Sequence, residues 1–152
     1  MESNNNSVLN TLLTSGFLPG FISTLTFHQI ALTVFWSLGL VGFAPYSLDA
    51  TQPFGIPAVL SLAFWGGIWG IFYRLAANQF PSIKAYWLIL MATLLPTIAF
   101  IAVVAPIKGI PFSIFTVQLI TVAVCINLAW ALGTAFLSQR LTKSNPVKFA
   151  HS

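Results

Sequence analysis

The sequence predicts an all-α integral membrane protein: an antiparallel four-transmembrane-helix bundle with both termini cytoplasmic. Three observations carry this reading. Of the 152 residues, 57% are hydrophobic and 5% charged, giving a mean hydropathy of +0.90, whereas soluble domains carry roughly a quarter charged residues. A water-soluble chain of this length would still need polar side chains to cover its surface. The six basic and two acidic residues (Glu2, Asp49, Arg74, Lys84, Lys108, Arg140, Lys143 and Lys148) are separated by long uncharged runs, and about 20 apolar residues span a bilayer as helix. Finally, five of the six basic residues fall on one side of the four-span arrangement and only Lys108 on the other. That asymmetry is the positive-inside pattern.

The spans are expected at about 17–43, 55–77, 85–107 and 114–138, in a single membrane domain covering 1–152, with polar tails at 1–15 and 139–152. The first span has no basic region before it and no Ala-x-Ala site after it, so it is expected to stay in the mature protein. The outer loop APYSLDATQPF ends in Pro53-Phe54-Gly55-Ile56-Pro57, and Pro57 suits the first turn of the second span. Pro111 has the same place before the fourth. PFGIP and PIKGIP thus read as matching outer turns, with Trp65 and Trp130 as rough counterparts, although their distances from the turns differ by about three helical turns. Cys125, the single cysteine, lies inside the fourth span, so no intrachain disulfide forms.

Small residues supply the packing signal. In LSLAFWGGIWGIF, Gly66 and Gly70 are four apart, as are Ala63 and Gly67. Small residues at this spacing let helix backbones approach closely in lipid. The fourth span offers a ridge of Thr121, Cys125, Ala129 and Gly133, and the two ridges are expected to dock on each other or to build a homodimer or larger membrane complex.

Polar residues form the candidate site. Counted at about 1.5 Å per residue from the basic ends of the spans, His28, Gly66, Pro96 and Asn127 reach one depth, with Thr93 and Thr97 flanking Pro96. In hydrocarbon such groups require partners, so His28 and Asn127 are expected to face the interior and one another. Pro96 leaves the carbonyl of Ala92 without its usual amide. Thr24 and His28 share a helical face, whereas Gln29 points about 100° away. One use of this layer is structural, through interhelical hydrogen bonds worth about 0.6 kcal/mol each. Another is a site in which His28 relays a proton or holds a polar headgroup or solute. Haem or chlorophyll ligation by His28 is a third. Bis-histidine ligation within one subunit would need a second intramembrane histidine, and the remaining one, His151, is in the tail.

Catalytic chemistry is not expected. The spans hold no acidic residue, no Ser beside a His at helical spacing and no His/Cys cluster, and no Gly-rich phosphate loop occurs. No catalytic residue, metal or cofactor is assigned. The scattered basic residues exclude a nucleic-acid surface, leaving membrane lipid as the expected partner. Asp49 reads as turn chemistry and Lys108 as an interfacial anchor.

With Phe27-His28-Gln29, Pro53 to Pro57, Leu60 to Gly70, Pro96-Thr97, Lys108 to Pro111, and Asn127 through Trp130 to Gly133-Thr134, the chain resembles a family of small four-span bacterial inner-membrane proteins without an assigned activity. These pieces touch all four spans and both outer turns. The resemblance implies four spans and a bacterial membrane, and it brings no catalytic residue. It departs at Ala131, where relatives carry glycine after the tryptophan, which bears on how closely that helix meets its neighbour.

Overall fold

The structure is a computed structural model describing residues 9–52 and 54–144. Four helices in it are long and apolar enough to cross a membrane. They are α1 (Leu9–Ser37), α2 (Ala58–Gln79), α3 (Ala85–Ile107) and α4 (Val117–Ser144). Residues 1–8 and 145–152, including most of both polar tails, lie outside the described residues.

The first helix differs most from its expected range. It is already formed at Leu9, in the stretch read as a tail, where Thr14 donates to the carbonyl of Asn10 at 2.7 Å. An uncharged hydroxyl satisfied by its own helix is compatible with a span, although it lowers hydropathy. At the other end α1 stops at Ser37 rather than 43. Gly39 takes a φ of +70°, its amide bonds Trp36 O at 2.9 Å and that of Leu40 bonds Phe35 O at 3.0 Å. This is a Schellman cap, and a left-handed residue there favours glycine. Gly109 closes α3 in the same way, with φ +67° and Ile110 N bonding Ala105 O at 2.9 Å.

Among the described residues the two outer turns therefore do not match in geometry. Gly109 ends a helix, whereas Gly55 turns between β1 (Ala50–Thr51) and β2 (Ile56–Pro57), a short antiparallel pair that leads into α2. Trp65 is exposed and Trp130 buried.

Helix α1 packs against both α2 and α4, α4 packs against α3, and α2 meets α3 more sparsely. Ser15 meets Ser138 and Ser23 meets Trp130, while Gly16 lies against Gly70 and Thr24 against Gly66. Residue numbers thus fall along α2 and α4 as they rise along α1. An apolar cluster of Leu32, Val41, Val122 and Ile126 fills the space near the end of α1 and the start of α4.

The interior mixes apolar side chains such as Leu32, Tyr73, Ile126 and Trp130 with an unusual share of polar ones. The largest fully buried side chains are Gln29, Thr24, Thr134, Pro19, Ser23 and Ser138, while Leu, Ile, Phe and Trp along all four helices are exposed. Such an exterior would aggregate in water. Among acyl chains it is the expected surface, with hydroxyls and amides turned to one another inside.

Candidate functional site

The first contact that organises the interior is between glycines of α1 and α2. A Cβ added to Gly20 would collide with the carbonyl oxygen of Gly66 and lie 2.9 Å from the Cα of Gly70. One on Gly66 would strike Thr24 Oγ1, and one on Gly16 would lie 3.1 Å from the Cα of Ile71. Backbone therefore lies on backbone, which only glycine permits at this distance. Gly67 is covered by the ring of Phe17, and Gly133 by Phe27 and Ser23. All three of Gly66, Gly67 and Gly70 are thus spent on α1. The expected docking of the α2 ridge on α4 does not occur: Thr121 and Cys125 are exposed, Ala129 is half-buried, and only Gly133 is buried against a helix, again α1. The sequence signal for this partner was Gly16, Gly20 and Thr24, a small-residue ridge at the same four-residue spacing.

The second contact joins α1 to α4 through three hydrogen bonds from side chains to backbone carbonyls. Ser23 Oγ donates to Trp130 O at 2.7 Å, Trp130 Nε1 donates to Gly20 O at 3.0 Å, and Ser138 Oγ donates to Ser15 O at 2.6 Å. Thr24 Oγ1 donates to Gly20 O as well, at 2.9 Å. Ala131, the position of departure from the resembling family, is fully buried and fits without glycine.

The expected polar layer is redistributed. Two wide π turns, Leu13–Phe17 and Thr24–His28, interrupt α1. In a regular helix Thr24 would share its face with His28, four residues on; a π turn carries an extra residue and moves that face to the fifth. Thr24 and Gln29 are accordingly both 2% exposed. Gln29, expected to point away from the centre, is the buried residue, and its Oε1 accepts the amide of Tyr46 at 2.8 Å. Tyr46 has the one non-glycine positive φ among the described residues, +52°, and its hydroxyl donates to Leu25 O at 3.1 Å. This pair of bonds fastens the loop after α1 to the side of the helix.

His28 and Asn127 do not pair. Asn127 Nδ2 donates to Thr97 Oγ1 at 2.9 Å, Thr97 Oγ1 donates to Thr93 O at 3.0 Å, and Thr93 Oγ1 donates to Ile89 O at 2.8 Å. That chain runs along α3 past Pro96, which sits inside the helix, half-buried. His28 is half-buried and its Nδ1 is enclosed without a hydrogen-bond partner. Asp49 accepts from Ser47 Oγ at 2.7 Å and its amide returns to the same hydroxyl at 3.2 Å, a local turn motif. Among the described residues no group of His, Cys, Asp or Glu is placed to hold a metal ion.

A lateral cleft of about 60 Å³ lies at the sparse seam of α2 and α3, lined by Trp69, Phe72, Tyr73, Ala76, Leu88, Met91, Ala92 and Leu95, with Trp130 of α4 also on its wall. His28 and Asn127 are not part of it. Chemically, the interior offers hydroxyls, amides and carbonyls that bond within and between helices, a fully buried Thr134 hydroxyl without a hydrogen-bond partner, and an apolar cleft. No family model, curated protein or solved structure matches the chain.

Proposed function

We propose that the chain is a multipass protein of the bacterial inner membrane, an antiparallel four-helix bundle with both termini cytoplasmic, acting as a non-enzymatic subunit or accessory protein. The observation that carries this reading is how the buried polar groups are used. Ser15, Ser23, Trp130 and Ser138 all serve the α1–α4 contact, and Asn127 and Thr97 serve α3–α4. Groups engaged in fastening helices are not free to handle a substrate. The placing of the termini rests on Arg74, Lys84, Arg140, Lys143 and Lys148 against Lys108; the bacterial setting rests on the family resemblance.

Purification from native membranes in mild detergent, with native mass determination, tests the proposal. The expected result is a second membrane protein held at fixed ratio, with no proton or solute flux from liposomes containing the chain alone. A self-sufficient particle with a flux abolished by His28→Leu would overturn it. That outcome would favour the other reading, a small transporter or a lipid- or small-solute-binding module using the polar layer around His28 and Asn127, which has one observation behind it: the unpartnered Nδ1 of His28.

A further inference from the structure

The cleft between α2 and α3 has a direction. Trp69, Phe72, Tyr73 and Ala76 line it from α2, and Leu88, Met91, Ala92 and Leu95 from α3. These lie at successive distances from the α2–α3 turn, so the cleft runs lengthwise along the seam. From Ala76 to Trp69 is seven residues, about 10 Å of helix. Its shape is a furrow that starts near a helix end and is largely apolar, suited to a chain rather than a compact ligand.

The same end of the molecule is basic. Lys84 caps α3 at the mouth, its Nζ 5.9 Å from the ring centre of Tyr86. Arg74 follows Tyr73 on α2, packed beside Gly16, and its Nε is enclosed without a hydrogen-bond partner. Arg140 lies over Phe136 on α4, one helical turn before the last described residues of that helix. Among the described residues the one acidic side chain is Asp49, in the loop at the opposite helix ends. Exposed Phe80, Tyr86 and Trp87 surround the turn, as aromatic side chains do at headgroup level.

We infer that this furrow binds an anionic phospholipid, one acyl chain lying between α2 and α3 and the phosphate resting at the Lys84 end. The inference rests on the proposed membrane setting but not on the accessory role. An acyl chain supplies the missing side of the sparse seam, and the phosphate supplies an anion where the described residues place only basic charge. A zwitterionic lipid offers the same chain with no net charge, so the headgroup should discriminate.

The full-length protein is placed in nanodiscs of phosphatidylcholine mixed with phosphatidylglycerol, and the lipids retained on release are counted by native mass spectrometry. Phosphatidylglycerol should be enriched over its share of the bilayer. Lys84→Gln should reduce that enrichment about fivefold, since a basic residue at a membrane surface contributes about 1 kcal/mol. Ala76→Leu, which fills the furrow, should reduce retention of both lipids; Ala92→Leu on the opposite wall is the second variant if the first does not elute as a folded species. Equal retention of the two lipids by the wild type overturns the headgroup assignment, and full retention by the furrow-filling variant overturns the site. Release of the protein from membranes by alkaline carbonate would instead reject the membrane setting itself.

Discussion

Ser23 and Trp130 hold α1 and α4 together in both directions: the serine hydroxyl donates to the tryptophan carbonyl at 2.7 Å, and the indole donates back to Gly20 O at 3.0 Å. Ser23→Ala should lower unfolding free energy in detergent by about 0.6 kcal/mol, the usual size of such a bond between membrane helices. Trp130→Phe should cost more, since the indole also fills the interior. A double-mutant cycle checks the link, because shared partners make the two effects non-additive; strictly additive losses would show that the bonds act separately.

The glycine seam gives a sharper contrast. Gly20→Ala and Gly66→Ala put a methyl group into backbone or into Thr24, and overpacking of this kind costs about 1–3 kcal/mol. Gly42→Ala is the proper control, because nothing lies within 4 Å of its added Cβ and its φ is not positive. Gly39 is a poor control: it too has open space, but its φ of +70° strains any larger residue. Melting temperatures in one detergent should fall for the seam variants and stay unchanged for Gly42→Ala.

Residues 28 and 29 should differ in the reverse of the sequence expectation. His28→Leu removes a group that has no hydrogen-bond partner, and replacing an unsatisfied polar group by an apolar one is neutral or stabilising. Gln29→Leu strips the acceptor from the Tyr46 amide and should cost about 1 kcal/mol. Limited proteolysis of the loop after α1 reads this directly, with faster cutting expected for Gln29→Leu alone.

Asn127→Leu and Thr97→Val should each weaken the α3–α4 contact by about 0.6 kcal/mol, and together by no more than either alone. Cross-linking yield between cysteines placed on α3 and α4 measures it. An effect of Asn127→Leu that vanishes in a His28→Leu background would instead revive the pairing of those two residues.

The four membrane-length helices were legible because apolar length and the placement of eight charged residues are composition-level signals, insensitive to detail. The glycines of α2 were legible too, since small residues four apart announce a close contact whatever its partner. The partner was not, because Gly16 sits at the edge of a stretch whose Asn, Thr and Ser lower its hydropathy and make it read as a tail. The exchange of His28 for Gln29 was hidden for a different reason. It follows from the π turn at Thr24–His28, which shifts the buried face by one residue, and no residue type in TLTFH marks such a turn. Ser23 and Trp130 were individually visible, but a hydroxyl aimed at a backbone carbonyl leaves no complementary residue type to search for.

In the proposed topology these helices cross a bilayer with the α2–α3 turn on the inner side and the α3–α4 turn on the outer. Ser82 and Ser113 are exposed in those two turns, and Cys125→Ala removes the native thiol. In sealed cells treated with a membrane-impermeant maleimide, Ser113→Cys should label at once and Ser82→Cys only after the membrane is opened. Prompt labelling at both positions in intact cells would mean that no bilayer separates them and would contradict the four-span topology.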